Sequence, residues 1–482
     1  MKTTNTGSGV GRLVVAGLGL LALACPAGAQ TLRFSNHRDV KVPEYALLRL
    51  GPFYSNVGFT QSAGYRYTRS SGTGTDFLTE NRRGKIKEDG QEFPLVTTLN
   101  FRNYLILTPS ADIDASVRLS YAHYPLKTQD NEFNVDLAEE GIVGDLSMEF
   151  APTPFLKGTV YDRALYKTDY VDTRGINDEY GGKQFVYFSN ELGVNMDWLM
   201  RPDRNLALSV SRSDLLPADD EFEEQENVAY SESLAYQQRL NPFVAAGLGA
   251  RFSQNDYRAT NRLDSTIQQY YVHGNAQLTR DTRMAAEVGY SIASLANPPQ
   301  GMDAGDSDVS TAVGSLGIQS QLSPEWSHSL TAARAMRTGF ESAVETADSA
   351  AYRLQWKGVF ASAGFFSAYS VVDPSSEEVG GYSNWANGLD ATYPLCSFAN
   401  LEFSTGYDQR RNESPSREGA SVDPEQANDY STWTSRIGTS FAVMEHLGFS
   451  TYFQHIERRS SSDSLAYERD IFAADLAYSY EF

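Results

Sequence analysis

The chain has 482 residues, a formal net charge of −21, and 28 tyrosines, 25 phenylalanines and 38 glycines against two cysteines. A surface this acidic repels nucleic-acid phosphates, so no nucleic-acid partner is expected. No stretch beyond the amino terminus reaches the roughly eighteen apolar residues of a membrane helix. Among membrane-spanning folds that leaves a closed β-barrel, because lipid cannot satisfy the edge of an open sheet.

At the amino terminus Lys2 and Arg12 precede an apolar run, Leu13 to Ala24, and then Ala27-Gly28-Ala29. This reads as a secretory signal peptide over residues 1–29, cleaved after Ala29. Losing Lys2 and Arg12 moves the charge to −23 and leaves Cys396 as the sole cysteine, so the exported chain holds together without an intramolecular disulfide. Cys25 raises a lipoprotein alternative, but Ala22-Leu23-Ala24-Cys25 followed by Pro26 is a poor lipidation site. Residues 30–50 are expected to form a periplasmic extension or a lumen plug, and residues 51–482 the transmembrane barrel.

From there the chain alternates strand-like segments with connections of two unequal sizes, as in an up-and-down barrel with short periplasmic turns and long outer loops. The short turns are Pro109-Ser110-Ala111-Asp112, Arg201 to Asn205, Leu240-Asn241-Pro242, Thr279 to Thr282, and Ser323-Pro324-Glu325, all rich in turn formers. The long polar loops are Ser70 to Gly90, Pro125 to Glu140, Leu216 to Asn227, Asn297 to Asp308, and Arg411 to Asp429.

Between these connections the apolar residues recur with a period of two. Ile113, Ala115, Val117, Leu119 and Tyr121 share one face, with Asp114, Ser116, Arg118 and Ser120 opposite. The pattern repeats from Ile142 to Phe150, from Leu192 to Trp198, from Met284 to Ile292 and from Leu401 to Tyr407. Trp326 to Met336 is ragged: it puts Arg334 in the lipid phase, which requires a bulge, an interfacial arginine or a different strand boundary. The last segment alternates cleanly, with Phe472, Ala474, Leu476, Tyr478, Tyr480 and Phe482 on the oily face. About twenty strands are expected, within a range of about sixteen to twenty. A soluble sandwich or propeller would share the alternation, but not the unequal turns or the terminal aromatic.

Two resemblances follow. The ending resembles the final strand of Gram-negative outer-membrane barrels, which implies that Leu476, Tyr478, Tyr480 and Phe482 form the signal read by the barrel-insertion machinery. Leu48-Arg49-Leu50-Gly51-Pro52-Phe53-Tyr54 with Ala63-Gly64-Tyr65-Arg66 resembles the opening of the outer-membrane β-barrel porin type 2 family. That resemblance implies a large barrel in the cell outer membrane, set in outer-membrane lipid and lipopolysaccharide, and allows a part in exopolysaccharide export. It carries over no catalytic residue.

Strand phase assigns Asp114, Arg118, Asp145, Glu149, Glu191, Asp197, Arg251, Glu287, Glu402 and Asp475 to the lumen, a lining acidic on balance. Such a lining attracts cations, an effect that salt weakens. No enzyme is expected: His37, His123, His273, His328, His446 and His455 lack a serine-containing motif beside them. No metal-ligand spacing and no cofactor motif appears, and Cys396 falls in a turn. The acidic runs Asp219 to Glu226 and Asp303 to Asp308 lack the spacing of a calcium loop. The reading is a passive, porin-like channel for ions or small solutes, weakly cation-preferring, with polysaccharide export or a non-conducting structural barrel as alternatives.

Overall fold

The computed structural model describes residues 48–71, 89–125, 132–133, 142–171, 183–218, 220–259, 262–296, 308–339, 343–375, 380–413, 429–461 and 466–481. The signal peptide, residues 30–47, His37 and Phe482 lie outside the described residues, as does most of the sequence expected in the outer loops.

Twenty long antiparallel strands close into one up-and-down barrel. They are β1 (Phe53–Ser71), β2 (Leu95–Thr108), β3 (Ala111–His123), β4 (Ile142–Thr153) and β5 (Leu156–Val171). The wall continues with β6 (Lys183–Arg201), β7 (Arg204–Pro217), β8 (Asn227–Asn241), β9 (Val244–Tyr257) and β10 (Asp264–Gln277). Next come β11 (Thr282–Ala296), β12 (Asp308–Gln321), β13 (Trp326–Arg337), β14 (Glu345–Lys357) and β15 (Ser362–Pro374). The last are β16 (Tyr382–Cys396), β17 (Ala399–Asn412), β18 (Tyr430–Met444), β19 (Leu447–Ser460) and β20 (Tyr467–Glu481). Each pairs with its sequence neighbour, and β1 meets β20 from Gly58–Glu481 to Ser71–Glu468, so the sheet has no free edge.

The strands turn at one end through short links such as Pro109-Ser110, Pro202-Asp203 and Pro242-Phe243, and at the other through longer connections. Every expected short turn lies at the short-link end. Cys396 is the last residue of β16, exposed beside the turn at Ser397-Phe398. Leu48–Leu50, assigned from sequence to an extension or plug, pairs antiparallel with Phe53–Ser55 and extends the sheet at the short-turn end. The hairpin closes at Gly51, whose φ of 64° is left-handed backbone that a β-carbon disfavours.

Directly paired residues share a face, so the register sorts every side chain. One face carries exposed Leu146, Leu192, Leu248, Val272, Val288, Leu389, Phe403, Ile437, Phe453 and Leu476, a continuous apolar belt. Phe155, Phe243, Phe360, Phe398, Tyr478 and Tyr480 border it toward the short turns, and Tyr121, Tyr230, Tyr270, Tyr290, Tyr369, Trp385 and Trp433 toward the long loops. Exposed oil bounded by aromatic girdles is a surface made for bilayer.

Arg334 lies on this outer face without a bulge. It pairs with Asp348 at 3.3 Å, both side chains half exposed, and stands in register with Gly314 and Val288. Of the three explanations the ragged sequence allowed, the unbroken register removes the bulge.

Candidate functional site: the inward wall and outer mouth

The other face of the sheet is polar and charged. All ten residues assigned to the lumen from sequence fall on it, spread around the wall rather than gathered. Arg251 and Glu287, on β9 and β11, form a bidentate pair, with Nη1–Oε1 at 2.6 Å and Nη2–Oε2 at 2.9 Å. Gln269 adds a bond to the same carboxylate at 3.0 Å, and the guanidinium lies 4.1 Å from the Tyr271 ring centre. Glu149 meets Lys157 at 3.4 Å and Asp145 meets Arg163 at 3.7 Å. Glu191 accepts the Tyr161 hydroxyl at 2.8 Å, and buried Glu402 accepts Ser440 Oγ at 3.1 Å. Asp475 sits within electrostatic reach of Arg66 and Arg436. Asp114 lies opposite Tyr104 and Ser147, Arg118 opposite Asn100 and Val143, and Asp197 opposite Lys157 and Ala207.

The same register puts Arg66, Arg102, Arg163, Arg353, Arg410, Arg436, Arg458 and Arg469 on the inward face. The sequence reading weighed only Arg118 and Arg251 against the acids, so the acidic excess expected of the wall is not found there. Strand phase could have placed Arg102, Arg163, Arg353 and Arg436, which stand within their strands; Arg410, Arg458 and Arg469 stand at strand ends, where boundaries are hardest to read.

Five of the missed residues form one array. Tyr382, Arg410, Tyr430, Arg458 and Tyr467 come from the successive strands β16 to β20, and rings alternate with guanidinium groups. Arg410 lies 4.6 Å from the Tyr382 centroid and 5.8 Å from that of Tyr430, and Arg458 lies 4.3 Å from Tyr430 and 5.3 Å from Tyr467. Both arginines are buried. Stacking lets a planar cation leave water while keeping an electrostatic partner on each side.

At the outer mouth the connection between β7 and β8 turns inward. Its 3-10 turn, Asp220–Gln225, sets Phe222 against Phe185 at 4.9 Å between ring centres, beside Tyr187 and Leu215. Phe185, Tyr187 and Leu215 are inward residues, so the docked ring holds the acidic run at the mouth. Asp220, Glu223 and Glu224 remain exposed there.

The histidines lie apart. His123 ends β3, His273 faces inward, His328 lies on the outer face, and His446 is in the turn before β19, packed edge-on to Tyr480. His455 lies on the outer face, its Nδ1 bonded to Asp470 at 2.8 Å, with Ser435 opposite. That row has the residue types of a hydrolase triad. However, Ser435 Oγ bonds Thr405 Oγ1 at 3.0 Å and accepts Trp433 Nε1 at 2.7 Å, turned from the histidine. A nucleophile and base in contact are absent from it.

A closed wall, oily outside and wet inside, is an integral outer-membrane β-barrel. No protein-family model and no curated protein matches the chain. Among solved structures it is similar to the siderophore receptor PirA from Pseudomonas aeruginosa, at 9% identity and a TM-score of 0.49, covering 88% of this chain and 80% of that one. It is also similar to the FrpB iron transporter from Neisseria meningitidis, at 9% and 0.47, covering 88% and 82%. A third is OpdQ from Pseudomonas aeruginosa, at 10% and 0.43, covering 89% and 98%.

Proposed function

We propose that the protein is a passive, porin-like channel for ions or small solutes with a weak cation preference. The observation that carries this reading is the inward face, which is polar and charged over most of its height inside a closed wall. A twenty-strand barrel encloses room for water beyond its own side chains. The ion pairs of the wall nearly cancel, so the preference comes from the carboxylates held at the mouth by Phe222. Lipid and lipopolysaccharide surround the apolar belt, and the insertion machinery reads Leu476, Tyr478, Tyr480 and Phe482.

The test is single-channel recording from the refolded protein in a planar bilayer under a salt gradient. Stable steps with a reversal potential on the cation side support the reading; folded protein without steps refutes it.

A second reading, passage of an acidic exopolysaccharide, is favoured by the alternating tyrosine and arginine array, since rings take sugar faces and guanidinium groups take carboxylates. It predicts that such a polymer blocks the ion current from the side it enters.

A further inference from the structure

The seam between β12 and β13 is unlike its neighbours. Pairing runs from Gln321–Ser327 up to Gly314–Arg334 and stops, although both strands continue. Above that point Asp308 to Val313 pair only with β11, and Ala335 to Arg337 only with β14. The upper end of β13 has parted from β12, while β14 stays paired with β15 up to Glu345–Pro374.

It goes into the lumen. Ser291 on β11 donates Oγ to Met336 Sδ at 3.6 Å, and Ser265 on β10 lies 3.4 Å from Thr338 Oγ1, three strands away. Met336 and Val344 are buried in one cluster with Ile267, Ala293 and Val313, all inward residues of β10 to β12. The segment therefore lies across the inner wall and occupies part of the cross-section.

One side chain joins this segment to the mouth loop. Arg262 donates Nη1 to Gln225 Oε1 at 2.5 Å and Nη2 to the Gly339 carbonyl at 3.3 Å, its guanidinium 4.2 Å from the Tyr257 ring centre. Beside it Arg258 Nη1 meets Glu226 Oε1 at 2.5 Å. Arginine suits a three-way junction because its planar fork can serve two acceptors while its face stacks.

We infer that Arg262 is a specificity-determining residue: it ties the Asp220–Gln225 turn to Gly339 beyond β13, forming one brace that narrows the mouth and sets the size limit of the channel. The inference rests on the channel reading, and its test separates the two. Arg262→Ala should raise single-channel conductance roughly twofold and admit larger neutral polymers than wild type, because conduction follows the narrowest cross-section. Arg334→Ala, which removes an arginine from the outer face, should change neither. In an Arg262→Ala, Cys396→Ser background, the pair Ser265→Cys and Thr338→Cys should restore the low-conductance state when oxidised and release it on reduction. Should Arg262→Ala fail to fold, Arg262→Lys, which keeps the charge but loses the fork that serves two acceptors, decides in its place. A conducting wild type whose conductance and polymer cut-off are unmoved by the Arg262 variant, or a variant unmoved by the oxidised disulfide and its reduction, overturns the brace and leaves the channel reading standing. Silence from folded wild type and folded variants alike overturns both.

Discussion

Two arcs of the inner wall meet the outer mouth in opposite ways. Near the mouth, β10 to β12 carry an apolar patch of Ile267, Ala293, Leu295, Val309 and Val313, covered by Met336 and Val344 of the β13–β14 hairpin. Over β16 to β20 it is built from stacked tyrosines and arginines. The lipid face outside both arcs is the same alternating oil. The difference teaches that bilayer fixes only the outward half of each strand, while the inward half is free to be greasy or charged according to what lies against it.

The arcs should fail differently. Val344→Asp puts a carboxylate into the apolar arc, undocks the hairpin and lowers unfolding stability by roughly 2 to 4 kcal/mol, the transfer energy of Val344 and Met336. Urea unfolding in lipid vesicles, followed by tryptophan fluorescence, reads this directly. An unchanged midpoint would mean that the hairpin does not depend on that patch.

Arg458→Ala removes the guanidinium between Tyr430 and Tyr467 and should cost about 1 to 3 kcal/mol in the same assay, while Arg458→Lys, which keeps charge and loses the planar stack, should cost about half as much. Equal losses from the two variants would show that charge alone holds this arc.

Glu287→Gln spares both arcs but leaves Arg251 without its carboxylate. The expected change is a reversal potential moved toward anions, with conductance nearly constant; a move toward cations would contradict the pairing. The smallest effect belongs to the outer face. Arg334→Ala loses a half-exposed pair with Asp348, which is worth about 0 to 1 kcal/mol after screening.

The outer face and the short turns were legible in the sequence for a physical reason. Strict alternation is forced wherever one side meets lipid, and Pro109-Ser110 and Pro202-Asp203 carry their turn geometry in their own residue types. Twenty strands is the upper end of the expected count. The inward face was half legible. Phase put Arg251 and Glu287 in the lumen, yet that they clasp each other depends on the register between strands. The brace could not be read at all, since Met336, Thr338 and Arg262 meet partners several strands distant. Its one trace was the raggedness of Trp326 to Met336, where alternation breaks because that strand's upper end leaves the wall.

The most direct test of the whole account is the single-channel conductance of folded wild type beside Arg262→Ala, recorded under one salt gradient. The account predicts stable cation-favouring steps from both, larger in the variant. Steps of identical size would contradict the braced mouth, and silence from both would contradict the channel itself.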